Sequence, residues 1–388
     1  MSVATVDEMS ASQRGTICSA AGKKILAGAG KLKSTKVLLM PDGFVDSIIS
    51  VVDIRHSPTK FDAIPSIDVL GDKIKAAATK SANFETYVHH QKLGGNGPIM
   101  ANAMASLGLG VTYVGMVGYP KLHPVFEPLA QKANVIGVVD PGFTDAWEFD
   151  DGKLMMGKYG AVNDLNWKNL VGRVGRSKLV KMVSEASLIG MVNWTMLPYL
   201  TQLWQMMHKE VLRGGKFRDK IFFADLCDPA KRAREDLLKA MKVLSAMRED
   251  VKVVLGLNLS EATQVAAVLD ILPYSDPEVQ IEQMARDIRA KMKINCVVIH
   301  PRASCAAATE DESAYIGGPF VMKPKLSTGA GDNFNAGFCT GLLLGLDLCE
   351  CLACAKGMSG FYVRKSRSAT LPELGKFVSR LPVAECEE

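Results

Sequence analysis

The chain has 388 residues, 48% hydrophobic and 22% charged, a folded composition too long for one hydrophobic core to keep growing, so one large domain with an appendage or two domains is expected. Disorder, collagen and coiled coil are excluded on the same ground. Forty-six Lys and Arg against 41 Asp and Glu leave +5 spread over the whole length, which implies no nucleic-acid partner, and nine cysteines without a paired framework or a leader-like start point to a reducing cytoplasm.

Residues 1–35 mix Ser, Ala, Gly and Lys without a sustained period and read as a tail or loosely attached element, which leaves 36–388 as the main domain. Within that tail Gly28-Ala29-Gly30-Lys31 suggests a phosphate loop, but Leu32 stands where Ser or Thr is required. From Lys36 short β-rich runs recur at 36–40, 111–117, 135–139, 188–192, 221–225, 251–257 and 296–300, most of them separated by helical spacing, as at 196–211, 231–244 and 277–292. That alternation, with strands apolar throughout, predicts an α/β fold: a doubly wound, mainly parallel sheet covered by helices on both faces. Two stretches break the rhythm. Residues 146–149 and 153–156 flank Asp150-Asp151-Gly152 as a β-hairpin, and the interval 53–90 carries Pro58 and Pro65; parts of 53–90 and 136–156 are expected to build a small β lid. The apolar run 336–346 is cut off by Asp347 and Glu350, too short to cross a membrane. Cys349, Cys351 and Cys354 sit in a helical apolar segment and read as buried thiols rather than a metal site.

Three motifs carry chemistry. Ser327-Thr328-Gly329-Ala330-Gly331-Asp332 precedes a helix in which Phe334, Phe338 and Leu342 recur every fourth residue. Such a turn aims several backbone N–H groups at one spot beside the positive end of the helix dipole, an anion hole for a phosphoryl group. Asp332 then stands at the helix start, as a helix cap or as a base for an attacking hydroxyl. Gly94-Gly95-Asn96-Gly97 lets backbone approach a ligand closely before another helix, although glycine pairs there are also plain turns. After the run 251–257, Asn258 and Glu261 can face one crevice at the strand's carboxyl end, or form a capping box with Ser260 as cap.

These three elements, in this order along the chain, resemble the ribokinase-like (PfkB) carbohydrate kinases, and the resemblance covers roughly 36–381. It implies an ATP-dependent kinase of a small sugar, with Asp332 as catalytic base, Gly329, Ala330 and Gly331 as anion hole, and Asn258 and Glu261 near Mg²⁺ and the ATP phosphates. Asp46, in Gly43-Phe44-Val45-Asp46, looks like the family's sugar-binding Asp, with Gly94, Gly95, Asn96 and Asn193 as further substrate contacts. Lids in such kinases often pair between subunits, so a homodimer through the lid is expected. Two departures stand out: Ile99 occupies the position where the family usually has Asn, and Pro301-Arg302-Ala303 replaces a glycine-containing turn. Relatives that phosphorylate phosphosugars would place a Lys in the Gly-Gly turn; this turn offers Asn96 instead, which favours an unphosphorylated sugar, although Lys92 and Lys158 could reach in from elsewhere. The alternatives are a nucleoside kinase, with Trp147 and Phe149 stacking the base, and a non-catalytic sugar sensor.

Overall fold

The computed structural model describes residues 11–214, 216–318 and 321–381. The chain forms β1 (Lys36–Met40), β2 (Phe44–Ser57), β3 (Lys60–Ala63), β4 (Thr86–Gly94), β5 (Gly110–Gly115), β6 (Asn134–Gly137) and β7 (Gly142–Phe149). It continues with β8 (Gly152–Lys158), β9 (Leu188–Met191), β10 (Phe217–Asp225), β11 (Val251–Leu257), β12 (Cys296–Ile299), β13 (Ser304–Ala308) and β14 (Ser313–Gly317). Nine of them make one sheet in the order β14-β13-β12-β11-β10-β9-β1-β5-β6, parallel from β12 to β6 and antiparallel at the β13 and β14 edge. Every residue of β9 and β12 is buried because helices cover both faces. Alternation splits β1 between two cores: Leu38 and Met40 join one hydrophobic cluster, Val37 and Leu39 the other.

A second sheet stands where the lid is expected, and it extends beyond the expected bounds. β2 runs unbroken out of the first loop, pairs with β4 and β3 on one side and with β7 on the other, and β8 closes the order. The lid therefore starts at Phe44 rather than within 53–90. At its other part, β6 at the start of 136–156 belongs to the main sheet, against β5. The helix Ile67–Ala76 covers one lid face through Val51, Ile64 and Leu70, with Trp147 and Phe149 packed against them.

Residues before Lys36 are not a loose tail where the structure describes them. Helices span Ala11–Ala27 and Ala29–Ser34, and Ala21, Ile25 and Leu32 are fully buried. The first helix docks on the helices Leu348–Lys365 and Leu371–Val378. Gly22 lies against Gly375 and Ser379, and Lys24 pairs with the buried Glu350 at 2.5 Å. Small residues make that contact, so the apolar period that marks an amphipathic helix is weak there. Residues 1–10 of the expected tail lie outside the described residues. Among the described residues no helix is long and apolar enough to cross a membrane.

Candidate active site

The carboxyl ends of β1, β9, β10, β11 and β12 open into one crevice, the place where doubly wound sheets bind ligands. The helix Ala330–Leu344 points its first turn into it. Gly329 precedes that helix at φ 93°, a left-handed conformation that glycine adopts without strain. The N–H of Ala330 turns back to the Ser327 carbonyl at 3.1 Å, whereas among the described residues no backbone carbonyl accepts from Gly331 or Asp332. Of the expected hole's three residues, Ala330 has its N–H engaged by Ser327, whereas Gly329 and Gly331, like Asp332, donate to no backbone carbonyl among the described residues.

Asp332 is 8% exposed and makes no cap bond; the residue in the cap position is Gly329. Its carboxylate accepts a hydrogen bond from the Asn96 side chain. Asn96 Nδ2 also lies 3.4 Å from Asp225 Oδ1, so one amide from the Gly-Gly turn spans two acids. Asp225, at the end of β10, accepts in addition from Asn335 Nδ2 at 2.9 Å and from the Asn193 backbone. Asn335 stands one turn after Asp332 on the same helix.

Asp42, in the loop after β1, is fully buried and holds the other side of the crevice. Its Oδ1 accepts from the Gly97 N–H at 2.8 Å, its Oδ2 from Asn193 Nδ2 at 2.7 Å, and its carbonyl from Tyr113 Oη. Asn193 is held at φ 66° with its Oδ1 buried and unpartnered. Asp46 sits on β2, in register with Lys92 and Thr144, and lies against Gly94, where a Cβ would come 2.6 Å from Oδ2. Lys158 pairs with Asp145 at 2.7 Å on the opposite lid face. Trp147 and Phe149 also face that way, into the small core under Ile67–Ala76, so they are not placed to stack a base in the crevice.

Asn258 and Glu261 do form a capping box, with Asn258 rather than Ser260 as the cap. Glu261 Oε2 accepts from the Asn258 N–H at 2.8 Å and Oε1 from the Asp228 N–H at 2.9 Å. Asn258 Oδ1 accepts from the Glu261 N–H at 3.0 Å.

The electrostatics are one-sided. Burial, and then Asp225, Asp42 and Glu261, push the Asp332 carboxyl well above its ordinary range. Burial and then Glu261 do the same to Asp225, and burial raises Asp42 to about 6. No Lys or Arg among the described residues forms an ion pair with any of these four acids. Such an acid surplus suits a dication that keeps its water shell. No three His, Cys, Asp or Glu side chains among the described residues are placed to grip a metal directly.

Sequence reasoning missed Asp42, Asp225, Asn335 and Tyr113. Asp225 ends a buried strand just as Asn258 follows one, and that signal could have found it.

A family model described as prokaryotic ketohexokinase matches residues 21–381. A ketohexokinase from Haloferax volcanii is 28% identical over 347 residues, which cover 89% of this chain and 91% of that protein. Among solved structures, ribokinase from Thermotoga maritima superposes with a TM-score of 0.57 at 14% identity, over 89% of this chain and 99% of that one. Phosphofructokinase-2 from Escherichia coli gives 0.57 at 16% identity with the same coverage. Likenesses at such identity establish the fold.

Proposed function

The chain belongs to the prokaryotic ketohexokinase family, and we propose from that premise that it moves the γ-phosphoryl group of ATP to a hydroxyl of an unphosphorylated ketohexose, with Asp332 as general base. Membership makes it a carbohydrate kinase; the acceptor, the base and the donor site are our reading. The observation that carries it is the placement of Asp332: a buried carboxylate beside two free N–H donors at a helix start, joined through Asn96 to the glycine turn.

The sugar lies at the carboxyl ends of the strands, under the lid. Asp46 on β2 accepts from its hydroxyls, and the unpartnered Asn193 Oδ1 offers another acceptor. Asp42 acts at one remove by holding Gly97 and Asn193 in place. Asp332 takes the proton of the attacking hydroxyl, and its raised proton affinity suits that task, since a base works best with a pKa near the working pH. The Gly331 and Asp332 N–H groups meet the oxygens of the transferring phosphoryl, where fixed dipoles stabilise developing charge without reorganising. Mg²⁺, when bound, would neutralise phosphate charge. Asp225 and Glu261 supply the negative charge to hold it, and because both Glu261 oxygens and Asn258 Oδ1 already accept backbone N–H groups, these two would act through its waters. Closure of the lid excludes water, which would otherwise compete as acceptor.

An ATP-consumption assay over ketohexoses, aldohexoses, sugar phosphates and nucleosides tests this. A free ketohexose is expected to show the highest kcat/KM. A sugar phosphate or nucleoside that far exceeds it would replace the acceptor, and sugar binding without turnover would replace the kinase with a sensor.

A further inference from the structure

Two successive peptide units of the turn before the helix Ala330–Leu344 are held by side chains. The Tyr362 hydroxyl donates to the Thr328 carbonyl at 3.0 Å. Glycine at 329 permits that approach, because a Cβ there would come 2.8 Å from Tyr362 Oη. The next carbonyl, that of Gly329, accepts twice from Asn333: from its N–H at 3.1 Å, the opening bond of the helix, and from its Nδ2 at 2.9 Å. Asn333 Oδ1 in turn accepts from Ser368 Oγ at 2.8 Å. Ser368 is buried in the link between the helices Leu348–Lys365 and Leu371–Val378.

Asn333 is fully buried, and a buried amide is unfavourable unless its groups are paired. Asn also suits a helix interior less well than Ala or Leu does. Its side-chain bonds run only to the turn and to Ser368, so their effect is on orientation. A trans peptide is planar, with the N–H opposite the carbonyl. Tyr362 draws the Thr328 carbonyl toward its own helix and thereby points the Gly329 N–H the other way. Asn333 fixes the Gly329 carbonyl and with it the Ala330 N–H, which turns back to Ser327. With both planes set, the backbone reaches Gly331 and Asp332 in one orientation, and the N–H groups of Gly329, Gly331 and Asp332 keep no carbonyl partner among the described residues.

We propose that Asn333, locked by Ser368, and Tyr362 are positioning residues for phosphoryl transfer: they aim the backbone donors of the turn at the oxygens that gain charge in the transition state. They act through the backbone rather than on the reacting atoms. The inference rests on reading this turn as the phosphoryl-binding element. Fixed dipoles stabilise charge only while they stay aimed, and a misplacement of about 1 Å can cost about 100-fold in rate. A single hydroxyl, that of Ser368, thereby couples the C-terminal segment to the chemistry.

Ser368→Ala and Tyr362→Phe each remove one oxygen. The measurement is kcat, with KM for ATP and for whichever sugar wild type turns over fastest, and a melting curve alongside. In both variants kcat should fall by roughly tenfold to a hundredfold while both KM values stay within about twofold, because the donors matter most once charge has built up. Asn333→Ala should lose at least as much as Ser368→Ala, and combining the two should lower kcat no further, since Ser368 acts through Asn333. Either single-oxygen variant with kcat within about twofold of wild type overturns the proposal, whatever its melting temperature. A loss confined to KM overturns it too, as does a Ser368→Ala loss that adds to that of Asn333→Ala. If Asn333→Ala does not fold, the two single-oxygen variants decide alone. Asp332→Asn run in parallel separates this inference from the reading beneath it: kcat kept there removes the base, whereas kcat lost there and kept in the other two removes only the positioning.

Discussion

Replacing Asp332 with Asn keeps the volume and an oxygen that can accept from Asn96, and it removes the basicity. If Asp332 takes the hydroxyl proton, kcat falls by roughly 10²–10⁴, the usual worth of general-base catalysis and about 3–5 kcal/mol in the barrier. The affinities for ATP and sugar should stay near normal, since the free N–H donors, Asp46 and Asn193 are untouched. Stability moves the other way. The folded protein holds the Asp332 proton more tightly than the unfolded chain does, because burial and the acids Asp225, Asp42 and Glu261 raise its pKa. As pH rises above the unfolded value near 4 and toward the folded one, wild type therefore loses stability that the variant keeps. Asp332→Asn should melt at the same temperature as wild type at acid pH and higher at pH 8. The assay is kcat at saturating ATP and ketohexose, with melting curves at both pH values. A folded variant with kcat within a few-fold of wild type removes Asp332 from the mechanism, and equal melting at pH 8 contradicts the electrostatic account of the cluster.

Gly97→Ala would put a Cβ 2.5 Å from Asp42 Oδ1 and 2.6 Å from Tyr113 Oη, so it should cost about 1–3 kcal/mol in denaturant melts; a neutral result would show that the Asp42 contacts yield easily. Ile25→Ala removes a fully buried side chain and should cost about 2–5 kcal/mol, whereas a loose N-terminal helix would lose almost nothing. Saturating sugar should slow proteolytic cleavage within 53–90 if the lid closes on the acceptor, and cleavage at an unchanged rate counts against closure.

The strand runs were legible because each is buried on both faces and apolar throughout, as in β9 and β12. The edge hairpin β13 and β14 was not: the small residues Cys305, Ala306, Ala307 and Ala308 give no β signal, and burial there comes from the helices packed on them. The first half of β2 was missed because both its faces are largely covered, which erases the alternation that marks a half-buried strand. In the site, Asp332 stood out because glycines and a helical period surround it. Asp42 and Asp225 sit in unremarkable local sequence, and their role arises from residues far along the chain: Asp42 from Gly97 and Asn193, Asp225 from Asn96 and Asn335. Asn96 was placed as a sugar contact, and its amide nitrogen proves to be engaged by two carboxylates.

The docking of the helix Ala11–Ala27 on Leu348–Lys365 and Leu371–Val378 sets a condition on biosynthesis. A growing chain exposes Ile25 early, yet the surface that buries it is among the last to be made. At ~5–20 residues per second the wait amounts to roughly tens of seconds. Until β9 is made, β1 also lacks one neighbour and keeps an open edge. The N-terminal helix therefore stays without its packing partners until synthesis is nearly finished, and the final ordering of the molecule joins its beginning to its end.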